Sequence, residues 1–186
     1  MTIKTLEELF LNDLGAMYDA EKQITVALPK LAAAATDPAL KEAFEVHLAE
    51  TEGQIARIEQ AALSQGLDLK QQLCTVMQAL IREGDTMMKT VEPGPLLDLA
   101  LIAGSQKVEH HEIAGYTALV NMASELGYND AADLLEITLD EEAATDDKLA
   151  ALSEEIFALL AGDDAGDEDS IPLAEITKGR LGTAAL

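Results

Sequence analysis

Tryptophan is absent from this sequence of 186 residues, and aromatic residues of all kinds make up only 3%. Strands are usually rich in β-branched and aromatic residues, whereas Ala and Leu favour helices. Because the hydrophobic fraction is 48% and its excess is Ala and Leu, we predict an all-α fold. A chain of this length suits one domain, which can bury a core without disulfides or a structural metal.

Positive charge is also scarce. Only 12 Lys and Arg residues oppose 35 Asp and Glu residues, so the formal net charge is −23 at pH 7. Such a charge repels nucleic acid phosphates and anionic membrane surfaces, so we expect neither as a partner. A cation is the better candidate. Most of the acids are expected to form a solvated surface, and only acids on buried helix faces are informative.

The chain has a single cysteine, Cys74, which excludes an internal disulfide. Its start, MTIKTLEELF, lacks the basic and apolar regions of a signal peptide. No apolar run is long enough to span a bilayer, because Lys, Glu or Asp interrupts each candidate. We therefore expect a soluble protein of the reducing cytoplasm, in which Cys74 is a small buried residue.

Four long segments carry apolar residues at three- and four-residue steps, the spacing of amphipathic helices. The first runs from about Leu6 to Ala35 and contains Pro29, which we expect to kink it. The second begins at Pro38 and ends near Ser64. The third runs from Pro95 to Gly127, and the fourth runs from Asn129 to Gly162.

A connection of about two dozen residues separates the second helix from the third. Within it, Leu73–Ile81 has helical spacing, and we predict a short helix there, packed across the outside of the bundle. Two helical hairpins joined by one long crossover are typical of ferritin-like four-helix bundles, in which the second and third helices are parallel. We predict that residues 1–161 form this bundle and that 162–186, which begin GDDAGDEDS, form a flexible acidic tail.

The stretch QKVEHHEIAGY, residues 106–116, places charged groups on a helix face that should be apolar. Glu109 shares its stripe with Ile102 and Ile113, and Glu112 follows one turn later. An ionised carboxylate in an apolar interior costs roughly several kcal/mol unless it is paired or bound to a cation. Some buried group must therefore compensate Glu109. His111, in the same stretch, is expected to be solvated.

Each long helix carries an acid on or beside its buried stripe. Counting residues from the two hairpin turns places acids of paired helices within about 3 Å of the same height along the bundle. One histidine, a turn before the acid of the second helix, also lies on a clear core stripe. The resulting candidate metal ligands are Glu21, His47, Glu50, Glu109, Glu112, Glu142 and Asp146.

Several carboxylates at one level of an apolar core raise one another's pKa and cannot all ionise. Two divalent cations would resolve this conflict, and oxygen-rich sites with one or two imidazoles suit iron or manganese. We predict such a site, with Tyr18 or Tyr116 nearby as a hydrogen-bond or electron partner. The alternative is a structural network of partly protonated acids and His47, linked by hydrogen bonds to Gln54, Gln106 and Tyr18.

Five stretches resemble, in the same order and at similar spacing, the YciE/YciF-like bacterial stress proteins of the ferritin-like superfamily. They are DLGAMYDAEKQ, LPKLA, HLAETEGQIARIEQ, QKVEHHEIAGY and TLDEEAATDDKLAAL. The resemblance covers about residues 3–160. It implies a rubrerythrin-like four-helix bundle, a cytoplasmic homodimer and a role in stress responses.

Ferritin-like di-iron proteins typically carry Glu-x-x-His on the second and fourth helices, and this sequence departs from that pattern at both places. Gly53 stands three residues after Glu50, and Thr145 takes the equivalent place on the fourth helix. His47 instead precedes Glu50, and Asp146 is the candidate replacement for the other histidine.

We expect peroxide, dioxygen or iron chemistry in oxidative or general stress. The second hypothesis is a non-enzymatic bundle that acts through dimerisation or partner binding.

Overall fold

The computed structural model describes residues 2–163, in which all regular secondary structure is helical. The helices are α1 (Leu6–Ala34), α2 (Pro38–Ser64), α3 (Thr75–Thr90), α4 (Pro95–Glu125) and α5 (Asn129–Asp163). This confirms the all-α fold of four long helices and a helix on the crossover. None of the described helices combines the length and hydrophobicity needed to cross a bilayer. The predicted tail lies outside the described residues except for 162 and 163, which continue α5.

Local sequence signals explain how the first hairpin forms. The Thr5 hydroxyl accepts a hydrogen bond from the Glu8 N–H, and the Glu8 carboxylate accepts one from the Thr5 N–H, which makes a capping box at the start of α1. Asp37 caps α2 with its carboxylate, and Pro38 takes the first helical position. Pro29 lies within α1 and does not end it.

Contacts between the helices define their arrangement. α1 packs on α2 and α4, and α5 packs on α4 and α2, so the long helices form a ring in the order α1, α2, α5, α4. The carboxylate of Asp98, in the first turn of α4, accepts hydrogen bonds from the N–H groups of Thr36 and Asp37, between α1 and α2. α4 therefore begins at the end of the bundle where α2 begins, and these two helices run in the same direction.

The crossover helix α3 is longer than the sequence indicated. It spans Thr75–Thr90 rather than Leu73–Ile81, because the apolar face continues to Met88, which packs against the core. α3 packs on α4 and α1, with Met77 fully buried, as predicted for a helix across the outside of the bundle. Val76, in contrast, remains exposed.

Asp19 of α1 anchors the segment that precedes α3. Its carboxylate accepts hydrogen bonds from the side-chain amides of Gln71 and Gln23 and from the backbone N–H of Cys74, at 2.6–2.8 Å. Burial favours the neutral acid, but these hydrogen bonds outweigh it and lower the pKa of Asp19. Asp19 is thereby buried under the crossover.

Gly15 allows the same segment to lie directly on α1. The carbonyl oxygen of Gly15 accepts a hydrogen bond from the Gln72 N–H at 3.0 Å. A Cβ atom at residue 15 would lie 2.1 Å from the carbonyl oxygen of Lys70. Only a residue without a side chain therefore fits between α1 and the crossover at this point.

Two apolar clusters fill the interior, one toward each end of the bundle. The first includes Leu28 and Leu101, and the second includes Phe10 and Leu119. Each long helix carries buried polar residues between the members of these two clusters or, on α1, one residue past the boundary. These residues are Glu21, His47, Thr51, Gln54, Ser105, Glu109, Glu112, Thr138 and Glu142.

Candidate metal centre

Four side chains that can ligate a metal meet in this polar layer. They are His47 from α2, Glu109 and Glu112 from α4, and Glu142 from α5, and one ligand atom of each lies within 4.8 Å of the others. All four residues are at most 3% exposed. The three-residue spacing on α4 places both of its glutamates on one face, and the ring of helices brings α2 and α5 against that face.

His47 makes contacts on both sides of its ring. Its Nε2 atom lies 3.5 Å from Oε1 of Glu109 and 3.9 Å from Oε2 of Glu142. Its Nδ1 atom lies 3.6 Å from Oε2 of Glu50 and 3.5 Å from the Thr145 hydroxyl. Contacts at Nδ1 therefore hold the ring with Nε2 directed at the buried acids.

Glu21, the acid of α1, borders the same cluster. Its Oε1 atom accepts a hydrogen bond from the Tyr116 hydroxyl, and its buried Oε2 atom has no hydrogen-bond partner among the described residues. The negative charge of ionised Glu142 helps to raise the pKa of Glu21. Of the two candidate tyrosines, Tyr116 is fully buried at the cluster, whereas the Tyr18 hydroxyl donates to Glu59 outside it.

Glu50 and Asp146, the other predicted ligands, lie at the edge of the cluster. Their side chains are 39% and 20% exposed. Asp146 accepts a hydrogen bond from the Gln106 amide at 3.1 Å and lies 3.5 Å from Nε2 of His110, which is itself exposed. Counting residues from a turn gives the height of a side chain along the bundle. It does not give the direction in which the side chain points around the helix axis. Glu50 and Asp146 differ from the buried acids in this direction.

Burial is the main cause of the high pKa values of the clustered acids. It raises the pKa of Glu21 and Glu109 to about 8 and that of Glu142 to about 9. The pKa of Glu112 is raised well above its ordinary value by burial and by the charges of Glu21 and Glu142. At neutral pH the metal-free cluster therefore holds protons that solvated glutamates would have lost.

The pKa of the His47 imidazole is also raised. Burial lowers the pKa of His47, but the contact with Glu50 at 3.6 Å and the charges of Glu142 and Glu21 outweigh burial, so that its pKa is raised. The same contact lowers the pKa of Glu50. Each of these two groups therefore favours the charged form of the other.

Most polar atoms of the cluster lack a hydrogen-bond partner among the described residues. Buried polar atoms usually have one, so this concentration in a single layer requires a physical explanation. Carboxylate oxygens with one imidazole nitrogen form a donor set that fits iron or manganese. The unpartnered atoms are Glu21 Oε2, His47 Nε2, Glu109 Oε2, both oxygens of Glu112 and both oxygens of Glu142.

Two cavities reach the cluster from different sides. The α2–α5 groove has a volume of about 410 Å³, ends at His47 and Glu109, and is bordered by Glu50, Asp140 and Lys148 among others. The α3 cavity has a volume of about 50 Å³ and lies among α1, α3 and α4. It ends at the same two residues, and its walls are mostly apolar.

Cys74 and His111 form a pair that the sequence did not indicate. Cys74 is buried, as predicted, and its Sγ atom lies 3.5 Å from Nε2 of His111. His111 is half-buried rather than solvated, and burial lowers its pKa. Because the two residues belong to different helical segments, no local spacing could have revealed their contact.

Comparison with known proteins places these features in a family. The family model described as "Domain of unknown function (DUF892)" matches residues 5–161. The protein YciF of Escherichia coli (strain K12) is 47% identical over 154 residues, which are 82% of this chain and 93% of YciF. This chain belongs to the DUF892 family. The resemblance to YciE/YciF-like proteins is thereby confirmed.

Solved structures that are similar to this chain share its helical fold. The crystal structure of the E. coli stress protein YciF has a TM-score of 0.82 at 46% identity, over 84% of this chain and 99% of YciF. The structure of YcfI from Rhodopseudomonas palustris has a TM-score of 0.76 at 40% identity, over 80% of this chain and 94% of YcfI. A protein of Xanthomonas campestris, at 21% identity and a TM-score of 0.67, covers 87% of this chain and 99% of its own and shares the fold alone.

Proposed function

We propose that this protein is a ferritin-like stress-response protein whose buried acids and His47 hold two iron or manganese ions for peroxide, dioxygen or iron chemistry. The observation that carries the proposal is the set of buried, unpartnered donor atoms where four helices meet. The relationship to YciF, a stress protein, supports the biological setting. The family resemblance also supports a cytoplasmic homodimer.

The proposed ligands divide by their position in the structure. Those within 4.8 Å of one another are the strongest candidates, and Glu21 can add its free Oε2 atom from α1. Glu50 and Asp146 remain candidates at the edge, where Glu50 orients the imidazole through Nδ1. The inner candidates are His47, Glu109, Glu112 and Glu142.

The chain contributes binding, orientation and charge. Tyr116 fixes one oxygen of Glu21 and leaves the other free, and Glu50 holds His47 in one orientation. The net charge of −23 and the acids bordering the α2–α5 groove attract cations toward the cluster. Bound iron or manganese would supply electrons to a small oxidant.

Metal analysis of a matched pair of variants tests the proposal. Protein purified without chelators, or reconstituted with Fe(II) or Mn(II) without oxygen, should retain about one to two equivalents after desalting. Glu142→Gln should lose most of this metal, because it removes an anionic ligand from the centre of the site. Glu136→Gln removes the same charge from an exposed position on the same helix and should retain the metal.

The alternative function is that of a non-enzymatic stress-response bundle. The raised pKa values of Glu109 and Glu142 favour this alternative, because the two acids can share a proton and remain buried without a metal. On this alternative the wild type and both variants would hold no metal after reconstitution. Glu142→Gln would then leave the stability of the protein unchanged or raise it, because the amide is neutral at every pH.

A further inference from the structure

The α3 cavity differs in chemistry from the α2–α5 groove, although both reach His47 and Glu109. Its walls consist mainly of aliphatic side chains, with Leu28 contributed by α1, Leu80 by α3 and Leu101 by α4. An apolar wall does not replace the water around an ion, so the cavity favours uncharged molecules. The acid-bordered groove is the better entrance for cations.

Two glycines help to keep the α3 cavity open. Gly84 of α3 and Gly104 of α4 both line it, and a Cβ atom built on either would meet no atom within 4 Å. A Cβ atom at either position would therefore meet no steric barrier, and alanine or leucine would favour the helix more than glycine does. A side chain at residue 104 should therefore occupy the cavity without disturbing the contact between α3 and α4.

Ser105 supplies a polar group where the wall of this cavity meets the α2–α5 groove, since it lines both. The residue is only 7% exposed, and its hydroxyl has no hydrogen-bond partner among the described residues. It precedes Glu109 by one helical turn and therefore lies on the same face of α4. A buried hydroxyl without a partner is unfavourable, so a bound molecule with a polar atom is its natural partner.

We propose that the α3 cavity binds a small uncharged oxidant, hydrogen peroxide or dioxygen, beside His47 and Glu109, and that Ser105 is a positioning residue for peroxide. The identity of the occupant rests on the proposed metal centre. A cavity must have a volume of at least roughly 10–15 Å³ to hold one water molecule. The α3 cavity, at about 50 Å³, therefore accommodates a molecule of two heavy atoms and is too small for most metabolites.

Xenon binding tests the cavity without any metal. Crystals of the full-length, metal-free protein under xenon pressure should show an anomalous peak beside Gly84 and Gly104. Gly104→Leu should abolish the peak, whereas Ala103→Leu, which places the same side chain at the adjacent exposed residue of α4, should leave it unchanged. A wild-type crystal without xenon at this place would overturn the proposal.

Oxidation of bound Fe(II) tests the occupant. In stopped-flow experiments Gly104→Leu should slow oxidation by both hydrogen peroxide and dioxygen about tenfold, with the iron content and the iron-induced rise in melting temperature unchanged. Ser105→Ala should slow the peroxide reaction several-fold and leave the dioxygen reaction within twofold, because dioxygen is a poor hydrogen-bond acceptor. Equal slowing of both reactions by Ser105→Ala would contradict the positioning role.

The two proposals fail in different ways. Wild-type protein that retains no iron overturns the proposed function, and with it the oxidant as the occupant. If wild type and Gly104→Leu retain equal iron and oxidise it at equal rates with both oxidants, the metal centre stands and the α3 cavity is not the entrance. Ala103→Leu should match the wild type in xenon binding, in iron content and in the rates of oxidation by both oxidants.

Discussion

The Nε2 atom of His47 lies 3.5 Å from Oε1 of Glu109, and this contact joins α2 to α4 across the centre of the bundle. The two helices occupy opposite corners of the ring, each separated from the other by α1 or α5. The cluster is therefore central rather than confined to one hairpin. Its protonation and ligation should influence the stability of the whole bundle.

The metal-free protein should lose stability as pH rises from 5 to 9. The folded-state pKa values of Glu21, Glu109 and Glu142 are about 8 to 9, whereas an unfolded glutamate has a pKa of roughly 4.3. The folded state binds more protons between these values. Stability from these groups is therefore greatest below the unfolded pKa and is lost as pH rises through the folded pKa. His47, whose folded pKa is also raised, acts in the same direction.

Thermal unfolding across this range measures the effect. The melting temperature should fall by about 5 °C or more between pH 5 and pH 8. Glu109→Gln should flatten the slope because it removes one titrating group, and Glu136→Gln should leave the slope unchanged. The range begins at pH 5 because Asp19, whose pKa is lowered, contributes an opposite dependence only at lower pH. His111, whose pKa is also lowered, opposes the slope only below roughly pH 6.5, so the fall between pH 7 and pH 8 reports the raised groups alone. Stability that increases with pH, or a slope unaffected by Glu109→Gln, would contradict the account.

Tyr116→Phe should destabilise the protein more than Tyr18→Phe. The Tyr116 hydroxyl is the hydrogen-bond donor to buried Glu21, and its loss should cost about 1–3 kcal/mol. The Tyr18 hydroxyl bonds to the exposed Glu59, where water can replace it, so its loss should cost less than about 0.5 kcal/mol. Urea unfolding at pH 8 measures both values. Equal costs would mean that the Tyr116 bond is not protected from water.

Gly15→Ala should destabilise the fold, although alanine favours helices. Its Cβ would meet the carbonyl oxygen of Lys70 at 2.1 Å, and displacing the crossover should cost about 1–3 kcal/mol. Gly53→Ala is the matched control in α2, where the nearest atom is the end of the Arg57 side chain at 3.7 Å. That substitution should stabilise the protein by about 0.5–1 kcal/mol. Gain of stability in both variants would show that the crossover does not lie on α1 at this point.

The anchoring role of Asp19 predicts a change in thiol reactivity. Cys74 is buried, so the native wild type should react with a thiol reagent far more slowly than the unfolded chain. Asp19→Ala removes the acceptor of the Cys74 N–H and should raise the native rate about tenfold through local opening. Asp68→Ala, at an exposed position of the same connection, should leave the rate near that of the wild type. Rapid labelling of the wild type would contradict the packing.

The helical pattern predicted the fold because it is a local property. Glu109 was recognisable as buried because apolar residues flank it at helical spacing, and Glu21, His47 and Glu142 were recognisable for the same reason. The crossover was recognisable as helical, but its length was not, since Met88 gains its packing partners only in the folded bundle.

Other buried groups depend on partners far along the chain. Asp98 could have been suspected, because it is a lone charge in the apolar run PLLDLALIAG, but its partners at the first hairpin turn could not. Asp19 lies among other charged residues and carries no such signal. Ser105 is an ordinary small helical residue in sequence, and only the packing of the helices places it on the walls of both cavities. Periodicity placed the acids only on or beside the buried stripes, and the packing of neighbouring helices decides that Glu50 and Asp146 lie at the edge.

Anomalous diffraction tests the central claim most directly. Crystals of protein reconstituted with Fe(II) or Mn(II), measured on both sides of the metal absorption edge, should show one or two peaks surrounded by His47, Glu109, Glu112 and Glu142. The peaks should disappear in Glu142→Gln and persist in Glu136→Gln. Reconstituted wild-type crystals with no anomalous peak among these four residues would contradict the metal centre and leave a structural network of protonated acids.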